Sequence, residues 1–371
     1  MIAPRTYLDW NATAPLRAEA RAAMAAAFDV VGNPSSVHAE GRAARALVER
    51  ARAQVAAAVG CQPGEVVFTA GATEAAGFLG RRPPGHAVCV QETAHDALWS
   101  HLDLSGLEGR PDGPGHTLAM GLANSETGVI TEPPERVDGR WPYGAARCDW
   151  LLLDITQAVG RIPFSFAWSG ADFAILSAHK LGGPKGVGAL IVREGCDITP
   201  LATGGGQESG RRAGTENVAG IAGFGAAAEA ALRDLAAGLW EEVAEIRNIL
   251  DSAISSAADM TILVGKESPR LPNTSCLLTP GWKGETQVMA MDLAGFAVSA
   301  GSACSSGKVR PSRVLRAMGF DEGAAASAIR VSIGPATGRA AVERFAEAWL
   351  GALRRHRARA AKVDEKEGAS P

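Results

Sequence analysis

The sequence predicts an α/β fold, with a mainly parallel sheet in a large domain and a second, smaller α+β domain. Through the first half of the chain, short apolar segments of strand length alternate with helical or loop segments, an order typical of parallel sheets covered by helices. From about residue 217 an Ala-rich helical stretch leads into separate strand segments, which indicates a second lobe. A chain of 371 residues is long enough for two domains. We expect the large domain at 16–250 and the small domain at 1–15 and 251–371.

The individual elements follow from local patterns. An Ala-, Arg- and Glu-rich segment predicts a helix that ends at Gly60, because glycine readily terminates helices. EVVFT (65–69) predicts a buried strand, and AGATEAAGFLG a turn that opens a helix. Further buried strands are predicted at 87–91, 117–123, 150–155, 171–177 and 188–193. A helical stretch over about 217–257 precedes the strands NTSCLLT and AIRVSIG. The tail RRHRARAAKVDEKEGASP has no apolar periodicity and is expected to be frayed or disordered at its end.

Composition and charge exclude several classes of protein. A hydrophobic content of 46% with 21% charged residues is ordinary for a globular protein, and the net charge of −3 offers no electrostatic surface for nucleic acid or an anionic membrane. The N-terminus lacks the apolar region of a signal peptide, and no apolar run is long enough to cross a bilayer. The six cysteines have no C-x-x-C spacing, which leaves a metal site unsupported. We expect a cytoplasmic enzyme or binding protein with reduced thiols and no metal.

A carboxylate and an amine follow two consecutive predicted strands. Asp154 ends WLLLDI, at the position where α/β sheets present ligand-binding side chains. Lys180 follows the next strand in ILSAHKLGGPKGVG, where partial desolvation would make its amine a usable nucleophile. A Schiff-base lysine and a carboxylate that pairs with a pyridinium nitrogen are two requirements of pyridoxal phosphate (PLP) chemistry. An ordinary ion pair between strand ends is the alternative.

Two other segments allow a functional and a plain interpretation. FTAGATEAAG (68–77) offers backbone N–H groups and the Thr73 hydroxyl to a phosphate at a helix start, or is simply a capped helix. In SAGSACSSGKVRPS (299–312), Cys304 is surrounded by small residues that would leave a thiol uncovered on a mobile loop. It is otherwise a small apolar residue at a turn.

Taken together, the motifs resemble those of cysteine desulfurases, which are fold type I, class V aminotransferase-like PLP enzymes. The resemblance runs from about residue 6 to 335. Its motifs, in chain order, are YLDWNATAPL, GNPSSVHAEG, GATE, NSETGVI, DITQAVG, SAHKLGGPKGVGAL, GGGQESGRRAGTEN, SAGSACSSG and IRVSIG. The resemblance implies the PLP-dependent transferase fold type I.

The resemblance also implies roles around the cofactor ring. Lys180 would hold PLP through a Schiff base and later move the substrate Cα proton. Asp154 would pair with the pyridine nitrogen, and Gln157 would hydrogen-bond the phenolic oxygen. His95 would stack on the ring and assist proton transfers.

The phosphate-binding positions are implied in the same way. Four of them belong to the subunit that holds the cofactor: Ala72, Thr73, Ser177 and His179. Thr215, in RRAGTEN, would reach the phosphate of the other subunit, which implies a homodimer with shared active sites.

For the substrate, the resemblance implies L-cysteine. Arg330 would clamp its α-carboxylate, a bidentate task suited to a guanidinium, while Asn33 and Asn124 would line the pocket. The thiolate of Cys304 would attack the substrate sulfur, leaving alanine and a persulfide on Cys304. The sulfur would then pass to an acceptor protein, in iron–sulfur cluster assembly or in tRNA or cofactor thiolation.

Several positions depart from the family pattern. Residues 75–77 are Ala-Ala-Gly where polar residues are usual, and Ala94 stands where Glu is common. Ser125, Ile155 and Thr156 are further departures, and the interval 99–118 is short. Three alternatives to a cysteine desulfurase therefore stay open: a selenocysteine lyase, a class V aminotransferase, and a non-catalytic partner protein that retains the PLP fold.

Overall fold

The computed structural model of the chain describes most of its residues and divides it into two compact units. The described residues are 5–108, 110, 112–301 and 311–368, with side chains described up to 362. The first unit, called the sheet unit, comprises 13–125 and 130–238. The second, called the terminal unit, comprises the described residues of Met1–Ala12, Glu126–Val129 and Leu239–Pro371.

Strands and helices alternate through most of the described chain. The strands are β1 (Thr6–Tyr7), β2 (Val66–Thr69), β3 (Val88–Val90), β4 (Thr117–Gly121), β5 (Trp141–Tyr143), β6 (Ala146–Cys148), β7 (Trp150–Asp154), β8 (Phe173–Ser177), β9 (Gly188–Val192), β10 (Ile262–Leu263), β11 (Thr274–Leu278), β12 (Phe296–Ala297), β13 (Ser299–Ala300) and β14 (Ala328–Ser332). The helices are α1 (Ala18–Phe28), α2 (Ala39–Val59), α3 (Ala72–Ala76), α4 (Asp96–Trp99), α5 (Phe166–Ser169), α6 (Val218–Ala236), α7 (Leu239–Ala257), α8 (Gly284–Leu293), α9 (Arg313–Ala317), α10 (Glu322–Ala325) and α11 (Arg339–Gly368).

The sheet unit is built on a six-stranded sheet in the order β2-β9-β8-β7-β4-β3. Strands β3, β4, β7 and β8 are parallel to one another, whereas β9 is antiparallel to both β8 and β2. Strand β2 therefore runs in the same direction as β8, and five of the six strands place their carboxyl ends at one edge. The predicted mainly parallel α/β sheet is confirmed.

Burial explains why these segments form strands. Strands β8 and β9 are buried at every position, as expected for central strands with both faces covered. Helix α6 packs against α1 and α2, and α2 ends, as predicted, at Gly60, whose φ of 71° suits glycine. The phenyl rings of Phe78 and Phe173 pack in the core with their centroids 4.8 Å apart.

The terminal unit has its own sheet and core. Strands β10, β11, β14 and β13 form an antiparallel sheet in that order, and β1 pairs in parallel with β12. Helix α11 packs against α7 and α8, with the rings of Trp282 and Trp349 buried 5.5 Å apart. The predicted strands NTSCLLT and AIRVSIG are confirmed as β11 and β14.

Two predictions on helices need correction. The stretch 217–257 forms two helices, α6 and α7, separated by Ala237 and by Gly238, which has a φ of 75°. The tail that was expected to be frayed or disordered at its end is helical over most of its length, because α11 continues to Gly368, and residues 369–371 lie outside the described residues. Ala, Arg, Lys and Glu are strong helix formers even without an apolar face. Within the described residues, none of the helices combines the length and apolar character needed to span a membrane.

Candidate active site

The predicted site residues of the sheet unit follow the carboxyl ends of its strands. Residues Gly121, Asp154 and Ile175 are aligned across β4, β7 and β8 by the strand register. Five strand ends supply candidate residues. Strand β2 is followed by Ala72 and Thr73, β3 by His95 and β4 by Asn124, while β7 ends at Asp154 and is followed by Gln157, and β8 ends at Ser177 and is followed by His179 and Lys180. This is the edge at which open α/β sheets bind ligands.

The loops after β2 and β8 are joined directly. The N–H of Ala72, the first residue of α3, donates to Oγ of Ser177 over 2.9 Å, which leaves the Ser177 hydroxyl hydrogen to donate elsewhere. Thr73 is exposed at the start of α3. Gly188 of β9 permits this close packing, because a Cβ there would lie 2.6 Å from Cα of Gly71. The loops therefore hold two hydroxyl groups at one end of the site.

Lys180 ends a 3₁₀ turn, Ala178–Lys180, that directly follows β8. Its side chain is half-buried. The adjacent His179 is tied to the N-terminal segment, since its Nδ1 lies 3.1 Å from Oγ1 of Thr13 and its carbonyl accepts the N–H of Ala14 over 2.9 Å.

His179 is neutral at physiological pH. Its pKa is lowered to about 4, first by burial and then by the nearby positive charges of Lys180, Lys185 and Arg161. A neutral imidazole keeps one ring nitrogen as a donor and the other as an acceptor. His179 can therefore hydrogen-bond an anion without bringing a second charge beside Lys180.

The segment after β7 holds a carboxylate and an amide in defined orientations. Oδ1 of Asp154 accepts the N–H of Thr156 over 2.9 Å. Gln157 is buried, and its Oε1 accepts from Nη1 of Arg161 over 2.6 Å. The other guanidinium nitrogen of Arg161, Nη2, donates to the carbonyl oxygen of Lys180 over 2.8 Å. One buried arginine thus links the segments after β7 and β8.

His95 and Asn124 lie in the loops after β3 and β4. His95 is exposed and caps α4, with Nδ1 accepting the N–H of Ala97 over 3.1 Å, so the ring proton of that neutral tautomer lies on Nε2. Nδ2 of Asn124 donates to the carbonyl of Thr93 over 2.8 Å. The two loops are therefore joined to each other by a hydrogen bond.

Asn33 and Thr215 occupy exposed segments of the sheet unit. Oδ1 of Asn33 accepts the N–H of Ser35 over 2.9 Å, a local turn. The segment that precedes Thr215 is anchored by Glu208, whose carboxylate accepts two hydrogen bonds of 2.8 Å from the guanidinium of Arg52. Among the residues that the structure describes, neither Asn33 nor Thr215 has a hydrogen bond to the residues at the strand ends.

Arg330 belongs to the terminal unit. Arg330 lies in β14, is buried, and donates from Nη2 to Oδ1 of Asp9 over 2.7 Å. The other carboxylate oxygen of Asp9 accepts from the Ser299 hydroxyl over 2.7 Å. The predicted loop with Cys304 lies outside the described residues.

The side chains after β2, β7 and β8 fit pyridoxal phosphate by their chemistry. Lys180 would offer an amine to the cofactor's carbonyl carbon, and Asp154 a carboxylate to its ring nitrogen. Donors for a phosphate are present in the Thr73 and Ser177 hydroxyls and the neutral imidazole of His179.

Three residues that were not predicted from the sequence have contacts to this set or to Arg330. Arg161 touches Gln157 and the backbone of Lys180, Thr13 contacts His179, and Asp9 pairs with Arg330. The four-residue spacing of Gln157 and Arg161 was a usable signal, because residues four apart in a helical turn face each other. Asp9 and Thr13 lie in the motif YLDWNATAPL.

The fold and the strand-end residues agree with a family match. The sequence profile of the aminotransferase class-V family matches residues 6–99 and 113–345. The chain therefore belongs to the aminotransferase class-V family, which confirms the predicted fold class. The profile leaves 100–112 unmatched, within the interval that the sequence analysis found to be short.

Within that family, the similar proteins are cysteine desulfurases, which confirms the predicted resemblance. A "Cysteine desulfurase" of Frankia sp. (strain EuIK1) is 39% identical over 89% of this chain and 87% of its own length. An "IscS-like cysteine desulfurase" of Mycobacterium tuberculosis is 33% identical over 95% of this chain and 97% of its own. The X-ray structure of a NifS-like protein from Rickettsia africae is 28% identical, with a TM-score of 0.79 over 93% of this chain and 98% of that one.

Proposed function

We propose that this chain is a PLP-dependent cysteine desulfurase that converts L-cysteine to L-alanine and leaves the sulfur as a persulfide on Cys304. The observation that carries the proposal is the placing of an amine, a carboxylate and an amide, from Lys180, Asp154 and Gln157, after adjacent parallel strands. Membership in the class-V family and the cysteine desulfurases among its relatives support the same function.

The sheet unit supplies the cofactor contacts in this proposal. When bound, PLP would accept electrons from the substrate Cα and thereby weaken the Cβ–S bond. Nζ of Lys180 holds the cofactor and, once released by the substrate amine, carries the Cα proton. Asp154 keeps the ring nitrogen protonated, Gln157 donates to the phenolic oxygen, and His95 covers the ring.

The phosphate is held by the groups that surround the start of α3. Ala72 and Thr73, with Ser177 and His179, are the proposed contacts from one subunit. The 2.9 Å bond between Ala72 and Ser177 supports this, because it brings the two loops together. Thr215 of the second subunit of a homodimer completes the phosphate site.

The substrate is oriented through its carboxylate. The guanidinium of Arg330 binds that group, and its own orientation is supported by the 2.7 Å bond to Asp9. Asn33 and Asn124 line the pocket. The thiolate of Cys304 attacks the substrate sulfur, so the Cβ–S bond breaks as the S–S bond of the persulfide forms, and Cβ takes a proton to give alanine.

The other cysteines are poorly suited to be the sulfur acceptor. Burial raises the pKa of the thiol in three of them: Cys61, Cys196 and Cys276. Cys89 and Cys148 form a fully buried pair, in which the hydrogen bond from Cys148 lowers the pKa of Cys89 and raises that of Cys148. Thiolate formation and access are both needed for attack. This supports Cys304 as the sulfur acceptor.

We also propose roles for the two domains, a sulfur acceptor and a cellular location. Residues 16–250 would form the PLP-binding domain, and 1–15 with 251–371 the domain of the cysteine and the carboxylate clamp. A sulfur-acceptor protein, as in iron–sulfur cluster assembly or thiolation of tRNA or a cofactor, would collect the persulfide sulfur. A cytoplasmic location, where thiols stay reduced, is consistent with that chemistry.

The decisive test combines product analysis with mapping of the sulfur. Purified protein is incubated with PLP and L-cysteine, alanine and sulfide are measured, and the peptide containing Cys304 is weighed by mass spectrometry. We expect one alanine for each sulfur released and one added sulfur on Cys304. Cys304→Ala should lose both, whereas Cys196→Ala, which alters a half-buried cysteine of the sheet unit, should keep them.

Three outcomes would contradict the proposal. Accumulation of a keto acid and pyridoxamine phosphate without alanine would indicate an aminotransferase. Normal acceptor-dependent sulfur transfer by Cys304→Ala would remove the assigned nucleophile. A much faster reaction with selenocysteine than with cysteine would make the chain a selenocysteine lyase.

A further inference from the structure

Arg161 is a buried cation that contacts two residues of the proposed cofactor site, Gln157 and Lys180. Only 3% of the residue is exposed. Its two terminal nitrogens are directed to different segments: Nη1 donates to Oε1 of Gln157 over 2.6 Å, and Nη2 donates to the carbonyl oxygen of Lys180 over 2.8 Å. The planar guanidinium fixes the directions of both bonds at once.

The first of these bonds determines which way the Gln157 amide is turned. A glutamine side chain has one accepting end and one donating end. With Oε1 against the guanidinium, the NH₂ group of Gln157 is the end directed away from Arg161. The flipped amide would set its N–H donors against the N–H donors of Arg161, an unfavourable contact in a buried site. Gln157 is therefore held as a hydrogen-bond donor.

The second bond fixes the main chain at Lys180, and the structure offers a matched comparison. Arg17 donates from Nε to the carbonyl oxygen of the next residue, Leu181, over 2.8 Å, and also pairs with Asp234. Both arginines thus hold the backbone that follows β8. Of these two arginines, only Arg161 also contacts Gln157. Comparing variants of the two therefore separates the effect on Gln157 from the effect on the backbone.

We propose that Arg161 is a positioning residue that sets Gln157 as the donor to the cofactor's phenolic oxygen and couples that contact to the lysine segment. The proposal rests on the proposed function. Arg161 acts through Gln157 and the Lys180 backbone rather than on the substrate.

This role has a spectroscopic consequence. A hydrogen bond donated to the phenolic oxygen stabilises its anionic form and makes the cofactor–lysine linkage more acidic. The visible absorbance of the bound cofactor changes as that linkage titrates. Losing the donor should therefore move the absorbance transition to higher pH, by about one unit for a hydrogen bond to a charged group.

The test is an absorbance titration of the full-length protein loaded with PLP, with four variants beside the parent. Arg161→Met and Gln157→Ala should each raise the transition by about one pH unit, and Arg17→Met should leave it unchanged. The double variant Arg161→Met/Gln157→Ala should shift no further than Gln157→Ala alone. If the Arg161→Met shift came only from the lost positive charge, the double variant would have a higher transition pH than Gln157→Ala alone. That result would overturn the proposal.

The conservative variant Arg161→Lys tests the proposal even if Arg161→Met does not fold. Lysine keeps the charge but lacks the rigid guanidinium that reaches two acceptors. We therefore expect the absorbance transition of Arg161→Lys to shift less than that of Gln157→Ala. PLP retention should be partly recovered relative to Arg161→Met. A transition identical to that of the parent protein would overturn the proposal. A parent protein that shows no cofactor absorbance with PLP would overturn the proposed function together with this inference, whereas a failed Arg161 shift leaves the function intact.

Discussion

The low pKa of His179 reduces the folding stability of the protein at acidic pH. Its folded-state pKa is lowered to about 4, first by burial and then by the charges of Lys180, Lys185 and Arg161. The ordinary value is about 6.5. Between these two values the unfolded chain binds a proton that the folded chain does not, so folding stability rises with pH across this window and is lost as pH falls from about 6.5 towards 4.

The corresponding prediction concerns His179→Gln. The variant removes the titrating group, so its urea midpoint should fall less than that of the parent protein between pH 7 and pH 4.5. Carboxylates titrate in both proteins, and comparing the two cancels their contribution. His38→Gln, which alters an exposed histidine, is the control and should follow the parent. An unchanged pH dependence in His179→Gln would contradict the assignment.

Lys180 is the residue on which the proposed chemistry depends most directly. Lys180→Ala should lower alanine formation by about 10²- to 10⁴-fold, the usual contribution of a positioned acid–base group. Borohydride reduction followed by mass spectrometry should find the cofactor on the peptide of Lys180 in the parent and not in the variant. Lys185→Ala, an exposed lysine five residues further on, should keep both the activity and the adduct. Retention of the adduct by Lys180→Ala would show that another lysine holds the cofactor.

Among the elements, the position of the start of α3 depends on the absence of a side chain at Gly188 in β9. A Cβ on Gly188 would lie 2.5 Å from the carbonyl oxygen of Leu176 and 2.6 Å from Cα of Gly71. Both are backbone atoms that no rotamer change can move. Gly188→Ala should therefore displace α3 and destabilise the chain by about 1–3 kcal/mol, with weaker PLP retention measured by dialysis.

Gly64→Ala provides the matched control for Gly188→Ala. Gly64 precedes β2, and no atom lies within 4 Å of a Cβ built there. Its urea midpoint and PLP retention should match those of the parent. If Gly188→Ala also behaves like the parent, the contact between β9 and α3 does not position the phosphate-binding loop.

Elements with a local cause were predictable from the sequence, and those that depend on tertiary contacts were not. Apolar runs such as FAILS and GALIV are buried on both faces, so composition alone located β8 and β9. The extent of α11 was not predicted, because helix propensity continues where apolar periodicity stops. In the site, Lys180 and Asp154 were found from their strand-end positions. Arg161 was missed, since its partner at Lys180 lies 19 residues away.

The loop that carries Thr215 is held by a buried ion pair. Glu208 has a positive φ of 49°, unusual for a non-glycine residue, and its carboxylate accepts from Arg52 and from the N–H of Phe68. Arg52→Met should destabilise the chain by about 3–5 kcal/mol, because it leaves a buried carboxylate without its partner. The double variant Arg52→Met/Glu208→Met should be less destabilised in urea unfolding than Arg52→Met. A double variant with the summed loss of both single variants would contradict this account.

At the scale of the whole molecule, the proposed homodimer requires Thr215 of one subunit to act on the cofactor of the other. Thr215 is exposed within a single chain, next to the anchored Glu208 segment. Thr215→Ala should weaken PLP binding roughly tenfold through loss of a hydrogen bond to a charged phosphate. A subunit with this change keeps Lys180, and a Lys180→Ala subunit keeps Thr215. The two variants are therefore complementary only if the sites are shared.

Co-expression of the two variants with different tags tests that arrangement directly. Dimers that retain both tags carry one site with both residues intact and one site lacking both, because each site takes Lys180 from one subunit and Thr215 from the other. At PLP concentrations too low to fill the Thr215→Ala protein, these mixed dimers should recover about half of the parent's alanine formation. If Thr215 served its own subunit, every site would carry one defect and activity would stay near the mean of the separate variants. Failure to isolate a doubly tagged species would argue against a dimer altogether.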